Sequence, residues 1–426
     1  MKILWITNNL MPEPLNIISN SGKLKGTGGW IVSLCHALSG VPNIEIIVAS
    51  VHSAIKEMTI LQGKKNKFYV LPKGKGNLSY NKQYEMYWKK INKIENPDIV
   101  HIHGTEFSHG MAWICACGNQ NVVVSIQGLV SIIQKYVFCE INKKDLLLHW
   151  KPINIIYTEK SNYKKRAKGE IEYMNSASYF IGRTDWDKAH IWKFNPSAKY
   201  FHCDEMLRDS FYTDQWTINN IEKYSLFISQ ANTSIKGLHQ VLKAMPLVLR
   251  VFPQTKLYVG GARYFAKPKS LINNLKITTY NSYIKSLIRH LKIENNICFI
   301  APMDEEEMRE RLSRSHIFLL PSSIENSSNS LCEAQLLGVP SIASFVGGTP
   351  SLIKHGETGL LYRFEEYEML AKYICEIFND NQLAELLSKN ERISAHKRHN
   401  KQRILNQTLE TYNYIMQKNE KGKELE

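Results

Sequence analysis

The stretch PSSIENSSNSLCEAQLLGVPSIASFVGG, Pro321 to Gly348, places two carboxylates, Glu325 and Glu333, on either side of seven residues that are mostly small or amide-bearing. Ser327 or Ser328 is placed to open a helix that Gly338 ends, so Glu325 falls in the loop before the helix and Glu333 inside it. The first N–H groups of a helix have no intrahelical acceptor and carry a partial positive charge, so they receive anions such as phosphate. Two carboxylates beside that anion accept hydrogen bonds from hydroxyls. The combination suits a nucleotide diphosphate sugar, with its ribose and hexose hydroxyls on the carboxylates. An ordinary capped helix with two surface glutamates accounts for the same residue types.

His101 and His103, in HIHG, alternate along one strand and share a face. No carboxylate or third histidine follows at close spacing, so no metal is expected there, and His103 at the strand end is expected to touch substrate. Arg183 and Asp185 in GRTDWD, and Arg208 in CDEMLRD, are expected to form ion pairs rather than to contact an acceptor phosphate. GTGGW lies about twenty residues past the first strand and is not G-x-G-x-x-G, which argues against a dinucleotide dehydrogenase.

The elements that must position these residues alternate in type. KILWIT, IEIIVAS, PDIVHIHG and NVVVSIQG read as strands, with GGWIVSLCHALS a helix between the first two. The same grammar restarts near Tyr224 with SLFISQA, GLHQVLKAMPLVLRVF, TKLYVGGA, NICFIAP, EEEMRERLSRS, HIFLLPSS, SLCEAQLLG, VPSIASF and TGLLY. Such alternation implies parallel strands with helices on both faces. The expected organisation is a first Rossmann-like domain over 1–205, a linker over 206–223, a second such domain over 224–400, and a terminal helix over 401–426 that returns to the first. In open parallel sheets ligands bind at the carboxyl ends of the strands, so two doubly wound sheets facing across a cleft would share one site.

A chain of 426 residues is ample for two cores, and 43% hydrophobic with 22% charged residues is ordinary for a folded globular protein. No apolar run is long enough to span a bilayer, and the start MKILWITNNLMPEP is expected to be a strand rather than a secretory signal. A cytoplasmic protein is expected, peripheral at the inner face of the membrane. The eight cysteines are expected to be reduced thiols. A net charge of +15 implies an anionic partner. Between Lys143 and Lys168 eight Lys/Arg face two acidic residues, with Trp150, Tyr157 and Tyr163 interleaved, which fits either an anionic membrane surface or a solvated basic face. A nucleic-acid partner would explain the charge but not the glutamate stretch.

The stretch SSIENSSNSLCEAQLLGVPSIASFVGGTPSLIKHGETGLLY resembles the E-x7-E region of the family-four retaining glycosyltransferases of bacterial capsule, O-antigen and exopolysaccharide synthesis. The likeness extends through Gly28-Gly29, PDIVHIHG, VVSIQGLV, IGRTDWDKA and IKGLHQVLKAM to the terminal helix. It implies an α/β GT-B fold and transfer of a sugar from a UDP- or GDP-linked donor to a glycan or lipid-linked acceptor, with no metal cofactor. By this resemblance Glu333 binds the ribose hydroxyls and Glu325 the donor sugar near its reacting centre. Asn326, Ser327, Ser328, Asn329, Ser330 and Leu331 supply backbone N–H groups to sugar and phosphate. Gly28 and Gly29 admit the diphosphate, and Lys236 neutralises it as it leaves. His103, Gln127, Gln230 and Arg263 are candidates for sugar or acceptor contact.

Three positions depart from the family. Gln230 and Ala231 stand where an arginine usually precedes the phosphate lysine, Gln127 where histidine is common, and Ser351 where the family often has glutamate after GG-x-P. These departures bear on donor choice and turnover rather than on fold. Other expectations that the residues leave open are a nucleotide-sugar epimerase or phosphorylase on the same architecture, and a nucleotide- or glycan-binding protein without catalysis.

Overall fold

The computed structural model describes residues 1–19, 29–74, 80–149, 155–261 and 278–423. They pack as two compact units: Met1–Gln134, Asn162–Leu207 and His399–Glu426 form the first, and Lys135–Ser161 with Arg208–Arg398 form the second.

The first unit is built on β1 (Lys2–Thr7), β2 (Glu45–His52), β3 (Thr59–Gln62), β4 (Lys67–Pro72), β5 (Ile99–His103), β6 (Val122–Ser125), β7 (Tyr179–Gly182) and β8 (Lys199–His202), in the order β3-β4-β2-β1-β5-β6-β7-β8. Every pairing is parallel except β3 with β4, an antiparallel edge that the alternating pattern did not announce. Burial explains the miss: β3 alternates between half-buried and exposed residues, while the parallel strand β5 is buried throughout. A buried parallel strand needs a continuous apolar run, which is easy to recognise. The terminal helix Lys401–Lys423 packs in this unit, where Ile404, Tyr412 and Ile415 join Ile3, Trp5 and Val48 in one core. Tyr412 fixes its place by polar contacts: its hydroxyl lies 3.2 Å from the Trp5 ring nitrogen and 2.7 Å from His101 Nδ1.

The second unit holds β9 (Glu222–Ile228), β10 (Lys256–Val259), β11 (Ile297–Phe299), β12 (Ser315–Leu320), β13 (Ser341–Ser344) and β14 (Leu360–Tyr362), ordered β11-β10-β9-β12-β13-β14 and parallel throughout. β12, SHIFLL, is buried at every residue, as a central strand covered on both faces requires. The polar segment before β9 is no loose tether. Phe211 and Trp216 are buried, and Trp216 donates its ring N–H to the Ser315 carbonyl at 2.8 Å and its backbone N–H to the Leu337 carbonyl at 2.8 Å. Two aromatic anchors in a polar run suffice to tie it to this unit.

The segment Lys135–Ser161, which lies in the first half of the sequence, also packs with the second unit. None of the eight cysteines is in a disulfide; Cys35, Cys139, Cys203 and Cys332 are buried, and Cys115 is exposed. No described helix is long and apolar enough to cross a membrane.

Candidate active site

In the second unit the glutamate stretch leaves β12 and enters the helix Asn329–Leu337, which ends at Gly338 in the left-handed conformation. Ser328 occupies the N-cap position but does not cap: its hydroxyl meets the Ser330 hydroxyl at 3.1 Å instead of a backbone N–H. The first intrahelical bond runs from Cys332 N to Ser328 O. The N–H groups of Asn329, Ser330 and Leu331 therefore precede the helical ladder, as anion binding requires. Asn326 is buried, while Ser327, Asn329 and Ser330 are half-buried and Leu331 is fully enclosed.

Glu325 stands in the loop before this helix and accepts from Lys236 Nζ through Oε1, which also accepts from Ser322 Oγ at 2.8 Å. Lys236 closes a 3-10 turn, Ser234–Lys236, after β9. Two glycines make the approach possible. Gly237 has φ of 70°, and a Cβ there would lie 1.7 Å from the Pro321 carbonyl oxygen, so only glycine lets this turn lie against the loop leaving β12. Gly347 has φ of 50°, and a Cβ there would lie 1.9 Å from the Glu325 carbonyl oxygen, which accepts from Gly348 N at 3.0 Å. Both backbone segments around Glu325 are thus held by positions that tolerate no side chain.

Glu333 is buried, 5% exposed, which removes the alternative of a surface glutamate. Both its oxygens are engaged by Arg208, whose Nε donates at 2.8 Å and Nη2 at 2.7 Å. This fork geometry satisfies a carboxylate that burial alone would push toward neutrality. Arg208 also lies 4.6 Å over the Phe211 ring. The sequence suggested an ion pair for Arg208 without identifying Glu333 as its partner; nothing in LRDSF encodes a contact 125 residues away.

A third set of contacts, absent from the sequence analysis, surrounds these loops. Ser234 Oγ donates to the Val137 carbonyl at 2.6 Å, His239 Nε2 to the Cys139 carbonyl at 2.7 Å, and the Cys139 thiol lies 2.9 Å from Ser323 Oγ. Ser323 N in turn donates to the Ile235 carbonyl at 2.8 Å. Gln230 is exposed beyond the end of β9, and Ala231 beside it is buried. Arg263 and Gly28 lie outside the described residues, and Gly29 begins the helix Gly29–Leu38 of the first unit. Ser351 is exposed in the short helix Thr349–Leu352.

The first unit has a pocket of its own at the carboxyl ends of β5, β6 and β7, where His103, Gln127, Arg183 and Glu205 meet the Trp30 side chain. His103 is 3% exposed, and neither ring nitrogen has a hydrogen-bond partner among the described residues. It stacks on His101 with ring centres 3.8 Å apart. Burial, reinforced by the neighbouring His101 ring, holds its pKa well below the usual histidine range; burial brings His101 down to about 3. Both rings are neutral near pH 7. His101 spends its nitrogens on Ser125 Oγ at 2.6 Å and Tyr412 OH at 2.7 Å, as a buried core histidine does. Arg183 pairs with Glu205 and donates to the carbonyls of Ile126 at 3.0 Å and Gln127 at 3.1 Å. Beside the pocket, Glu106 accepts from Asn8 Nδ2 at 2.7 Å and from Gly128 N at 3.1 Å, and burial raises its pKa.

The model of the family described as glycosyl transferases group 1 matches residues 210–394, the whole of the E-x7-E site in the second unit. Over these residues the chain is similar to the group 1 glycosyl transferases. The chain is 25% identical over 209 residues to N-acetyl-alpha-D-glucosaminyl L-malate synthase of Bacillus anthracis, covering 49% of this chain and 50% of that one. It is 24% identical over 185 residues to the capsular polysaccharide biosynthesis glycosyltransferase CapM of Staphylococcus aureus, covering 43% and 44%. The chain spans about half the length of the curated relatives it matches. Among solved structures, sucrose-phosphate synthase of Thermosynechococcus elongatus superposes with a TM-score of 0.71 at 16% identity, over 97% of this chain and 99% of that one. HepE of Anabaena, in complex with UDP-glucose, gives 0.65 at 16% identity over 97% and 100%. The group 1 match and these neighbours agree on the fold, which is GT-B.

Proposed function

We propose that this chain transfers a sugar from a nucleotide diphosphate sugar to a glycan acceptor in surface polysaccharide synthesis, with retention of configuration. The observation that carries the proposal is the approach of Lys236 to Glu325 beside the opening of the Asn329–Leu337 helix, in a segment that matches the group 1 glycosyl transferases. A cation, a carboxylate and free helix N–H groups at one strand end are the parts that a departing diphosphate and a sugar hydroxyl demand.

In this reading the diphosphate takes the backbone N–H groups from Asn326 to Leu331, and Lys236 turns from Glu325 to the phosphate. Charge then grows on the leaving phosphate as the glycosidic bond breaks, next to donors already in place, which is where preorganised donors contribute most. Glu325, released from the ion pair, accepts from a donor-sugar hydroxyl near the reacting carbon. Glu333, held by Arg208, accepts from the ribose. Gly28 and Gly29 are assigned to the diphosphate, and His103, Gln127, Gln230 and Arg263 to sugar or acceptor. Neutral His103 can donate one hydrogen bond and accept another, as a hydroxyl group does in return. No metal is required where Lys236 and the helix end supply the positive charge.

The donor is proposed to be UDP- or GDP-linked, supported by the UDP-glucose bound in the Anabaena HepE structure. The acceptor is proposed to be a lipid-linked glycan, and the protein to work in the cytoplasm at the inner face of the membrane. The test is nucleotide release from a panel of UDP- and GDP-sugars with oligosaccharide acceptors, and an NMR assignment of the new anomeric bond. Release with an inverted product would refute retention. No release from any donor that binds would leave a binding protein in its place.

A further inference from the structure

A buried chain of hydrogen bonds runs from the terminal helix to the pocket of the first unit. The Trp5 ring N–H donates to the Tyr412 hydroxyl at 3.2 Å, that hydroxyl meets His101 Nδ1 at 2.7 Å, and His101 Nε2 meets Ser125 Oγ at 2.6 Å. Trp5 and Tyr412 are fully enclosed, so solvent completes the bonding of neither. Distances leave the last two links without a direction; the first link supplies it. An indole nitrogen only donates, so the Tyr412 oxygen accepts from Trp5 and its own proton goes to its other partner among the described residues, His101 Nδ1. His101 is neutral, because burial lowers its pKa to about 3. A neutral imidazole that accepts at Nδ1 carries its proton on Nε2, which therefore donates to Ser125 Oγ. The opposite tautomer would aim Nδ1–H at Tyr412 and strand the phenolic hydrogen in the core, which folded proteins avoid.

The Ser125 proton is left over at the end of this chain. Ser125 ends β6 and lines the pocket beside His103. Among the described residues its Oγ has no partner but His101. His103 is 3% exposed with both ring nitrogens unpartnered among the described residues. The charges in the pocket are spent on one another: Arg183 pairs with Glu205, and Asp204 with Arg403 at 3.2 Å. What remains for a ligand is neutral, a donor from Ser125 and one donor with one acceptor from His103. An ammonium group could not accept from Ser125, and a phosphate dianion could not donate to the bare His103 nitrogen. An alcohol does both. The cavity, about 30 Å³, has room for such a group.

We propose that Tyr412 is a positioning residue, which through His101 turns the Ser125 proton into this pocket, where Ser125 and His103 together hold one alcohol group of the substrate. The relay stands on the hydrogen bonds alone; a sugar as the bearer of that alcohol rests on the function proposed above.

The test uses the full chain with isotope-labelled histidine, its ring nitrogens read by long-range proton–nitrogen NMR and assigned from His101→Asn and His103→Asn. Near pH 7 His101 is expected as the Nε2–H tautomer alone, and as a mixture of tautomers in Tyr412→Phe. A proton on Nδ1 in the parent, a reading that needs no variant to fold, overturns the relay. So does an unmoved tautomer in Tyr412→Phe. Methyl glycosides of glucose, galactose and mannose are then added with no nucleotide present. The His103 ring signals are expected to move with at least one of them, with an affinity that falls about fivefold in Ser125→Ala and in Tyr412→Phe, as the loss of one neutral hydrogen bond implies. Signals unmoved by all three glycosides, or moved with the parent's affinity in Ser125→Ala, overturn the alcohol site. A loss in Ser125→Ala that Tyr412→Phe does not share overturns the positioning role. Neither readout involves a nucleotide or glycosyl transfer, so failure here is distinct from failure of the proposed activity.

Discussion

Arg208 grips both carboxylate oxygens of Glu333, at 2.8 and 2.7 Å, and so gives a two-point charged partner to a side chain that is 95% removed from solvent. Removing one partner of a buried pair leaves the other uncompensated, which commonly costs about 3 to 5 kcal/mol. Arg208→Ala is expected to fall near the lower bound, because Arg208 retains 23% side-chain exposure and water can partly replace it. Arg208→Lys should recover less than half, since an ammonium cannot reproduce the two-point fork. Urea denaturation of the three proteins measures this.

Glu325 and Glu333 should fail differently. Glu325→Ala removes the partner of Lys236 and the hydroxyl acceptor near the reacting carbon, so turnover should be lost while nucleotide affinity stays within about threefold. Glu333→Ala should weaken nucleotide binding by about tenfold or more, the loss expected for a buried charge-assisted hydrogen bond. Calorimetric titration beside donor turnover separates the two. Normal transfer by Glu325→Ala would contradict its role.

Gly237 offers a backbone test. Alanine there must adopt a φ of 70° and place its Cβ 1.7 Å from the Pro321 carbonyl oxygen. The strained backbone alone costs about 1 kcal/mol, and the collision must move the Lys236 turn off its neighbour. A loss of about 3 kcal/mol in thermal or urea unfolding is expected, with the donor-dependent shift also lost.

His239 gives the pH dependence a sign. Burial, the leading cause, lowers its pKa to about 3, and its Nε2 donates to the Cys139 carbonyl. The unfolded chain binds a proton near pH 6.5 and the folded chain does not until about pH 3. The stability that neutral His239 supplies is therefore complete above about pH 6.5 and is lost as pH falls toward the folded value, at up to about 1.4 kcal/mol per pH unit. Melting His239→Gln beside the parent from pH 8 to pH 5 should show a shallower acid decline in the variant. Parallel curves would contradict this.

What the sequence made legible follows from what is local. The central strands β5 and β12 could be recognised because a buried parallel strand must be an unbroken apolar run, and Gly338 ends its helix because few other residues adopt the left-handed turn. β3 escaped because an edge strand needs no such run. Glu325 and Glu333 were visible by type and spacing, yet Ser328, a good N-cap by type, bonds to Ser330 instead. The partners of Glu333 and Ser323 were invisible. Arg208 and Cys139 reach them from 125 and 184 residues away, and pairings at that distance are set by tertiary packing rather than by any local pattern.

The most direct test of the donor site is the thermal shift of the purified chain with UDP, GDP, ADP and CMP, followed by sugars on the nucleotide that works best. At about a hundred times its dissociation constant a ligand stabilises the folded state by roughly 2.7 kcal/mol, a shift of several degrees. Stabilisation by UDP or GDP, abolished in Glu333→Ala, is the predicted result. A folded protein unmoved by every nucleotide would contradict the account.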